Sequence, residues 1–487
     1  MINSLLNIDE LSSAVKGKCY YSKNLIKNPL SEICFTNVVT DSRNVCEKSL
    51  FVPLIGEFQN GHKYVPQSVE KGASVIFIQK DEYAQNSAVY SELLEKSPVC
   101  FITVENTLHA LQDAAEAYVA KFPNLTKISV TGSCGKTTTK EMIVSVFKAK
   151  YADQVVYTQG NLNSETGLPL SVFNIRENHT IGIFEMGMNR VDEIGEISKV
   201  LKSHYGIITN IGTAHIGILG SRENIACEKR KSFRYIPENG AVFVPADDDF
   251  ADYCVENVKG KIFKYGKNVP ESESGVAYKC SNGLKGMCFT VDGVDVNLPL
   301  SGEHNFVNAL GVIACAKACG IETKYIKSGL ENMDKLSGRM EIAEVVLKNE
   351  KKVSLVKDCY NANPDSMSKV IEFVSSVDSV NKRIFVLADM LELGEKSEAS
   401  HKGIGKTLLE NKFDLVILVG KEMRFAKAVL EEAGKKNVEY FADNSEKSFA
   451  EIAKILLDSS DNNDVIVFKG SNSMALGKII PEVTKDE

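Results

Sequence analysis

Residues 128–138 read Ile128-Ser-Val-Thr-Gly-Ser-Cys-Gly-Lys-Thr-Thr138. The apolar run Lys127–Val130 predicts a strand, the glycines a turn, and Thr137–Lys150 a helix. Met142 with Val146, and Ile143 with Phe147, give that helix one buried face. A strand that runs through a glycine turn into a helix presents backbone N–H groups and a positive helix end to an anion. On this reading Gly132 and Gly135 let the backbone curl, Lys136 reaches the β- and γ-phosphates, and the Thr137 hydroxyl holds Mg²⁺. The alternative is an ordinary turn before a helix, and the Gly-Lys-Thr-Thr run in this context argues against it.

Working outward, Ile181–Glu185, Tyr205–Asn210 and Ala241–Pro245 read as further strands separated by helical segments, the pattern of a parallel sheet. Lys261–Tyr265, Val276–Lys279, Met287–Val291 and Val294–Leu298 read as antiparallel strands, with a turn at Asp292-Gly293. A helix is expected from Asn305 to Ala318. Upstream, strands are expected at Ser49–Leu54, Ala73–Gln79 and Val99–Val104. A helix over Thr107–Lys121 should end at Phe122-Pro123. Downstream of Leu336-Ser337-Gly338, strands at Arg383–Ala388, Asp414–Val419 and Asp464–Lys469 alternate with helices. The expectation is an α/β chain of three domains. Residues 1–103 form a small α/β domain, and 104–336 a central phosphate-loop domain with a parallel sheet and an added antiparallel section. Residues 337–487 form a Rossmann-like domain.

The length of 487 residues accommodates three such cores. With 44% apolar and 25% charged residues the chain is neither disordered nor fibrous. A net charge of −7 and no basic run argue against a nucleic-acid partner. The 12 cysteines form no CxxC pair, so small buried thiols in a reducing compartment are expected, ahead of zinc or disulfides. No apolar run reaches the roughly 20 residues of a membrane span, and the N-terminus lacks a secretory pattern. The expected location is the cytoplasm.

The usual phosphate loop has a first glycine where this chain has Val130. The shorter Thr-Gly-Ser-x-Gly-Lys-Thr-Thr form is typical of ATP-dependent amide ligases that charge a carboxylate. Such a ligase brings two anions together, so metal and lysine charge must neutralise them. Glu185, at the C-terminal end of its strand, is positioned toward a ligand crevice; alone, it would equally suit a solvated strand end. His215, just past another strand, would by itself be a structural histidine. In company with the loop and Glu185 it becomes a candidate ligand. Lys229, inside Glu-Lys-Arg-Lys, reads on its own as part of a solvated helix face.

Together these motifs resemble one family along nearly the whole chain, the Mur ligases of peptidoglycan synthesis. The resemblance rests on Thr40-Asp-Ser-Arg43, Asn60-Gly-His62, the loop with its following Thr-Lys-Glu-Met, and Gly160-Asn-Leu-Asn-Ser-Glu-Thr-Gly-Leu-Pro169. It continues through Glu185-Met-Gly-Met-Asn189, Thr209-Asn-Ile-Gly, His215 and Gly302-Glu-His-Asn305. It closes with Ser337-Gly-Arg-Met340, Asp358-Cys-Tyr-Asn-Ala-Asn-Pro-Asp-Ser-Met367 and Leu387-Ala-Asp-Met-Leu-Glu-Leu-Gly394. The resemblance implies a monomeric enzyme that joins D-alanyl-D-alanine to UDP-N-acetylmuramoyl-tripeptide, with ATP, through an acyl phosphate.

It also implies residue roles. ATP would lie on Thr131, Gly132, Ser133, Cys134, Gly135, Lys136, Thr137 and Thr138, with His304 and Asn305 on the adenine side and Arg339 and Asp358 from the last domain. Ser42 would meet the uridine nucleotide, Asn161, Asn163 and Thr166 the sugar or peptide, and Asn361 the incoming dipeptide. Two Mg²⁺ ions would draw on Thr137, Glu185, His215 and Lys229. Lys229 would carry CO₂ as a carbamate, which gives a hard metal an oxygen ligand. Lys136, His215 and Lys229 would then form the catalytic set. Lys231 rivals Lys229 for the carbamate, and Asn472 stands where the family commonly has arginine.

Three rivals differ in sequence terms. The ligase that adds the third amino acid carries an Asp-Asn-Pro-Arg stretch, absent here. Folylpolyglutamate synthase does not share the Asp-Ser-Arg region. A nucleotide switch without catalysis has no use for Glu185, His215 and Lys229 together.

Overall fold

The structure, a computed structural model, describes residues 4–334 and 336–485. The chain is α/β and divides into two compact units.

The first unit takes in residues 1–129, 153–188 and 192–204. It holds a five-stranded sheet in the order Lys18–Tyr20, Cys100–Val104, Val75–Gln79, Ser49–Phe51, Asn37–Val39. Only the Lys18–Tyr20 edge runs antiparallel. Val75–Ile78 and all of Cys100–Val104 are buried, which is why they read as unbroken apolar runs rather than alternating ones. The helix Thr107–Ala120 starts at Asn106, whose side chain accepts from His109 N, and buries Leu111, Ala114, Ala115 and Tyr118. Strand Ile181–Glu185 pairs in parallel with Val155–Tyr157. Leu168, Phe184, Ile197 and Leu201 join Phe35, Phe77 and Leu111 in one core.

The second unit takes in residues 130–152, 189–191 and 205–487. The helix Lys136–Tyr151 follows the phosphate loop, and strands Tyr205–Ile208, Ala241–Pro245 and Lys261–Tyr265 pair in parallel. The expectation that Lys261–Tyr265 belongs to the antiparallel section is corrected here. Its register with Ala241–Pro245 is parallel throughout. The segment between them contains the helix Ala251–Val255 and is long enough for a crossover, whereas a hairpin would need a short turn. The antiparallel section proper is Val276–Ser281, Met287–Val291 and Val294–Leu298.

The last sheet has the order Glu341–Val346, Lys352–Asp358, Val465–Lys469, Arg383–Ala388, Leu415–Val419, Val438–Phe441. All its pairings are parallel except at the Glu341–Val346 edge. That edge strand also meets the far end of the chain. Leu347 bridges Thr484, Lys348 N donates to Val483 O at 2.9 Å, and Lys485 N donates to Val346 O at 3.0 Å. Helix Pro364–Ser375 begins with a capping box on Asn363 and a proline in its first turn. Among the described residues no helix is long and apolar enough to cross a membrane. All 12 cysteines are free thiols.

Candidate active site

The phosphate loop is shaped by the end of the neighbouring strand. Ser133 N donates to Asn210 O at 3.0 Å, and Cys134 N to Asn210 Oδ1 at 3.0 Å. Asn210 Nδ2 and Thr209 Oγ1 both donate to Cys134 O, at 3.2 and 2.5 Å. Ser133 Oγ accepts from Gly212 N at 2.9 Å. Thr131 is buried at the strand end, and Thr137 and Thr138 lie half-buried in the first helical turn. Gly132 and Gly135 have φ of +148° and +79°. A Cβ on Gly132 would collide with Thr209, and one on Gly135 would lie 2.8 Å from Asn308 Nδ2. Both positions therefore require glycine, and the cradle stays open for an anion. Lys136 Nζ donates to Gly132 O at 2.8 Å, so its ammonium lies over the loop.

Lys136, His215 and Lys229 fall within electrostatic reach of one another. Lys229, in helix Arg222–Arg230, is fully buried. Burial, reinforced by the Lys136 charge, holds its amine well below the usual lysine range. Lys231 differs: it is partly exposed, and its ammonium pairs with Glu228 Oε2 at 2.7 Å. His215 sits in a left-handed backbone conformation with φ 64°. Burial pushes its imidazole below the usual histidine range, Glu392 works against that, and Lys136 and Lys229 add to it. Its Nδ1 lies 3.1 Å from Glu392 Oε2, off the line of a hydrogen bond.

The adenine-side and last-sheet candidates lie in the same unit. Burial lowers His304 to about 4, so its ring is neutral. Asn305 is buried and donates to Ser301 O at 2.8 Å, and Asn308 Nδ2 donates to its Oδ1 at 3.4 Å. The Arg339 guanidinium stacks on Tyr360, 4.0 Å from the ring centroid. Asp358 accepts from Met340 N at 3.1 Å and pairs with buried Lys469 at 2.6 Å. Asp358 and Lys469 face each other in register at the C-terminal ends of adjacent parallel strands, where α/β sheets bind ligands. Asn361 is exposed, and its Oδ1 accepts from Ala362 N at 2.8 Å. Asn472 is exposed on a 3₁₀ turn.

The first unit holds the remaining candidates. Glu185 is buried rather than solvated, and Asn163 Nδ2 donates to its Oε1 at 2.7 Å. Asn163 O accepts from Gly187 N at 2.8 Å, which ties the Gly160–Pro169 stretch to the residues after the strand. Thr166 Oγ1 lies 3.2 Å from Ser164 Oγ, and Asn161 is exposed. Ser42 is buried beside Asp41, whose exposed carboxylate the Arg43 side chain lowers to about 2. Ser42 O accepts from Lys71 Nζ at 2.8 Å.

Among the described residues no three His, Cys, Asp or Glu side chains gather as a ready-made metal cluster. The expected donors are of another kind: a hydroxyl, one carboxylate, one imidazole and a lysine that must first be modified. Such a modification needs an amine whose uncharged form is favoured, and burial shifts Lys229 in that direction, so it fits that donor set. Sequence reasoning gave no role to Asn210, Asn308, Asp365, Glu392 or Lys469. Asn210 was visible only as part of the Thr-Asn-Ile-Gly motif.

Three family descriptions match the chain in order. They are the Mur ligase family catalytic domain at residues 35–119, the Mur ligase middle domain at 130–316, and the Mur ligase glutamate ligase domain at 338–472. A UDP-N-acetylmuramoyl-tripeptide–D-alanyl-D-alanine ligase from Treponema pallidum is 36% identical over 99% of this chain and 100% of its own. A Bacillus subtilis ligase of the same name is 32% identical over 97% of this chain and 98% of its own. The crystal structure of MurF from Acinetobacter baumannii superposes with a TM-score of 0.82 at 28% identity, covering 97% of both chains. Identity of this extent, with the phosphate loop intact, shows that the chain belongs to the Mur ligase family.

Proposed function

We propose that this chain joins D-alanyl-D-alanine to UDP-N-acetylmuramoyl-tripeptide at the expense of ATP, in the cytoplasmic synthesis of peptidoglycan precursors. One observation carries the reading. A phosphate loop with a fully buried lysine beside it occurs in a chain that spans the full length of ligases bearing that name. The domains are those bounded at 103/104 and 336/337, and the enzyme acts as a monomer.

ATP lies on Thr131–Thr138, with His304 and Asn305 beside the base and Arg339 and Asp358 reaching the nucleotide. Neutral His304 offers the base a hydrogen bond without adding charge. Ser42 meets the uridine nucleotide, Asn161, Asn163 and Thr166 the sugar and peptide, and Asn361 the dipeptide. The terminal carboxylate of the tripeptide attacks the γ-phosphorus, and ADP leaves as acyl phosphate forms. The free amine of the dipeptide then attacks the acyl carbon, and phosphate departs as the amide forms. Lys136 offsets the charge that builds on the phosphoryl oxygens. Thr137, Glu185, His215 and carbamylated Lys229 would hold two magnesium ions, which when bound offset repulsion between the reacting anions.

Lys229 becomes the carbamate without an enzyme's help. In the uncharged form that burial favours, the amine adds its lone pair to CO₂, gives a proton to water, and becomes a carbamate anion with two oxygens. Lys231 is only partly buried, and its Nζ is engaged by Glu228 Oε2 at 2.7 Å.

The test is phosphate release from ATP and Mg²⁺ with UDP-N-acetylmuramoyl-tripeptide, with and without D-alanyl-D-alanine. Release that depends on the dipeptide supports the reading. Release only with UDP-N-acetylmuramoyl-dipeptide and a diamino acid would move the enzyme one step back in the series. Tight ATP binding with no release on any amine would leave a nucleotide switch.

A further inference from the structure

The segment between strand Tyr205–Ile208 and helix Arg222–Arg230 carries His215, and the first turn of helix Pro364–Ser375 and the loop at Glu392 grip it from two sides. On one side, Thr213 N and Oγ1 both donate to Asp365 Oδ2, at 2.6 and 2.8 Å. On the other, Gly217 N donates to Glu392 O at 3.3 Å. A Cβ on Gly217 would lie 2.5 Å from that oxygen and 2.6 Å from Gly394 N, so the two backbones pack as closely as they can.

At this contact two non-glycine residues face each other in the left-handed region: His215 with φ 64° and Glu392 with φ 62°. Such backbones persist where the surroundings hold them, and they cluster at functional sites. The Glu392 loop is held. Met390 N donates to His401 Nε2 at 3.1 Å, and Leu391 N to Ser471 Oγ at 3.0 Å. The Glu392 carboxylate therefore arrives from a braced loop. Its Oε2 lies 3.1 Å from His215 Nδ1, a buried ring nitrogen that makes no hydrogen bond of its own.

We infer that Glu392 is a positioning residue for His215. Its carboxylate keeps the proton on Nδ1 and leaves the Nε2 lone pair as the nitrogen available to a ligand. The last sheet thus completes the histidine only when its loop is docked. The inference rests on the reading of His215 as a metal position, and it gives a carboxylate to the outer shell that metal-binding histidines use.

The test uses the full chain labelled with ¹⁵N-histidine, as wild type, Glu392→Ala, Glu392→Gln and Asp365→Asn. The His215 signal is assigned by its loss in His215→Gln. Without metal or nucleotide, the wild type should show the Nδ1–H tautomer, as should Asp365→Asn, and Glu392→Ala should lose it. Glu392→Gln, which keeps an oxygen acceptor, should fall between. In phosphate release, Glu392→Ala should raise the Mg²⁺ concentration for half-maximal rate about 10- to 100-fold, with the dipeptide KM unchanged. An unaltered tautomer in Glu392→Ala would overturn the inference. So would an equal rise in Mg²⁺ requirement for Asp365→Asn, which would mean that any loosening of the grip suffices. A wild type that releases no phosphate would refute the ligase reading, and the tautomer would still decide whether Glu392 orients His215.

Discussion

Replacing Asn210 by alanine removes two hydrogen bonds from the phosphate loop at once. Its Oδ1 accepts from Cys134 N at 3.0 Å and its Nδ2 donates to Cys134 O at 3.2 Å, so one side chain fixes both polar groups of one loop peptide residue. Each bond contributes about 1 kcal/mol net. If the loop must be re-ordered when nucleotide binds, about 2 kcal/mol is withdrawn from binding, or roughly 30-fold in Kd. Asn210→Asp should bind more weakly still, because it loses the donor and adds a negative charge beside the phosphates. The assay is titration with a fluorescent ATP analogue, helped by a chain without tryptophan. Thermal unfolding is followed in parallel. A drop in Tm with an unchanged nucleotide Kd would refute the reasoning, since the side chain would then support the fold without shaping the loop.

Lys136→Ala should lower turnover by about 10²- to 10³-fold while leaving Tm near wild type; unchanged turnover would remove the phosphate-loop assignment. In ¹³C-bicarbonate, a carbamate resonance should appear in the wild type and in Lys231→Arg but not in Lys229→Arg, and its loss in Lys231→Arg instead would exchange the two lysines. Lys469→Ala leaves the Asp358 carboxylate without its buried partner and should destabilise the protein by about 3–5 kcal/mol, read from the denaturant midpoint. His304 titrates near 6.5 when unfolded and at about 4 when folded, so between these values the unfolded chain binds the extra proton. Stability should therefore fall as pH drops through that window, and His304→Gln should flatten the fall in urea midpoints measured from pH 7 to 4.5.

The phosphate loop was legible because its chemistry is local: strand, glycines, lysine and helix follow one another within residues 128–138. Met287–Val291 and Val294–Leu298 were legible for the same reason, the tight turn at Asp292-Gly293 setting their register. Lys261–Tyr265 was not. Four of its five residues are exposed at a sheet edge, so its pattern does not tell parallel from antiparallel pairing. Thr213 and Asp365 lie 152 residues apart, and nothing in either neighbourhood signals the other. Lys469 and Asp358 meet only because their strands are adjacent, a fact of sheet order rather than of local pattern. Lys229 was hidden for a different reason: a charged run normally marks solvent, and only the packing of helix Arg222–Arg230 shows which lysine turns inward.

The edge pairing of Leu347 with Thr484 bears on what the outer strand of the last sheet can still bind. Lys348 N donates to Val483 O and Val346 O accepts from Lys485 N, so this part of the rim, which would otherwise template a second strand, is already occupied from within the chain. A substitution that breaks this pairing, rather than one in the buried strands, is the change that should open the sheet to edge-to-edge association.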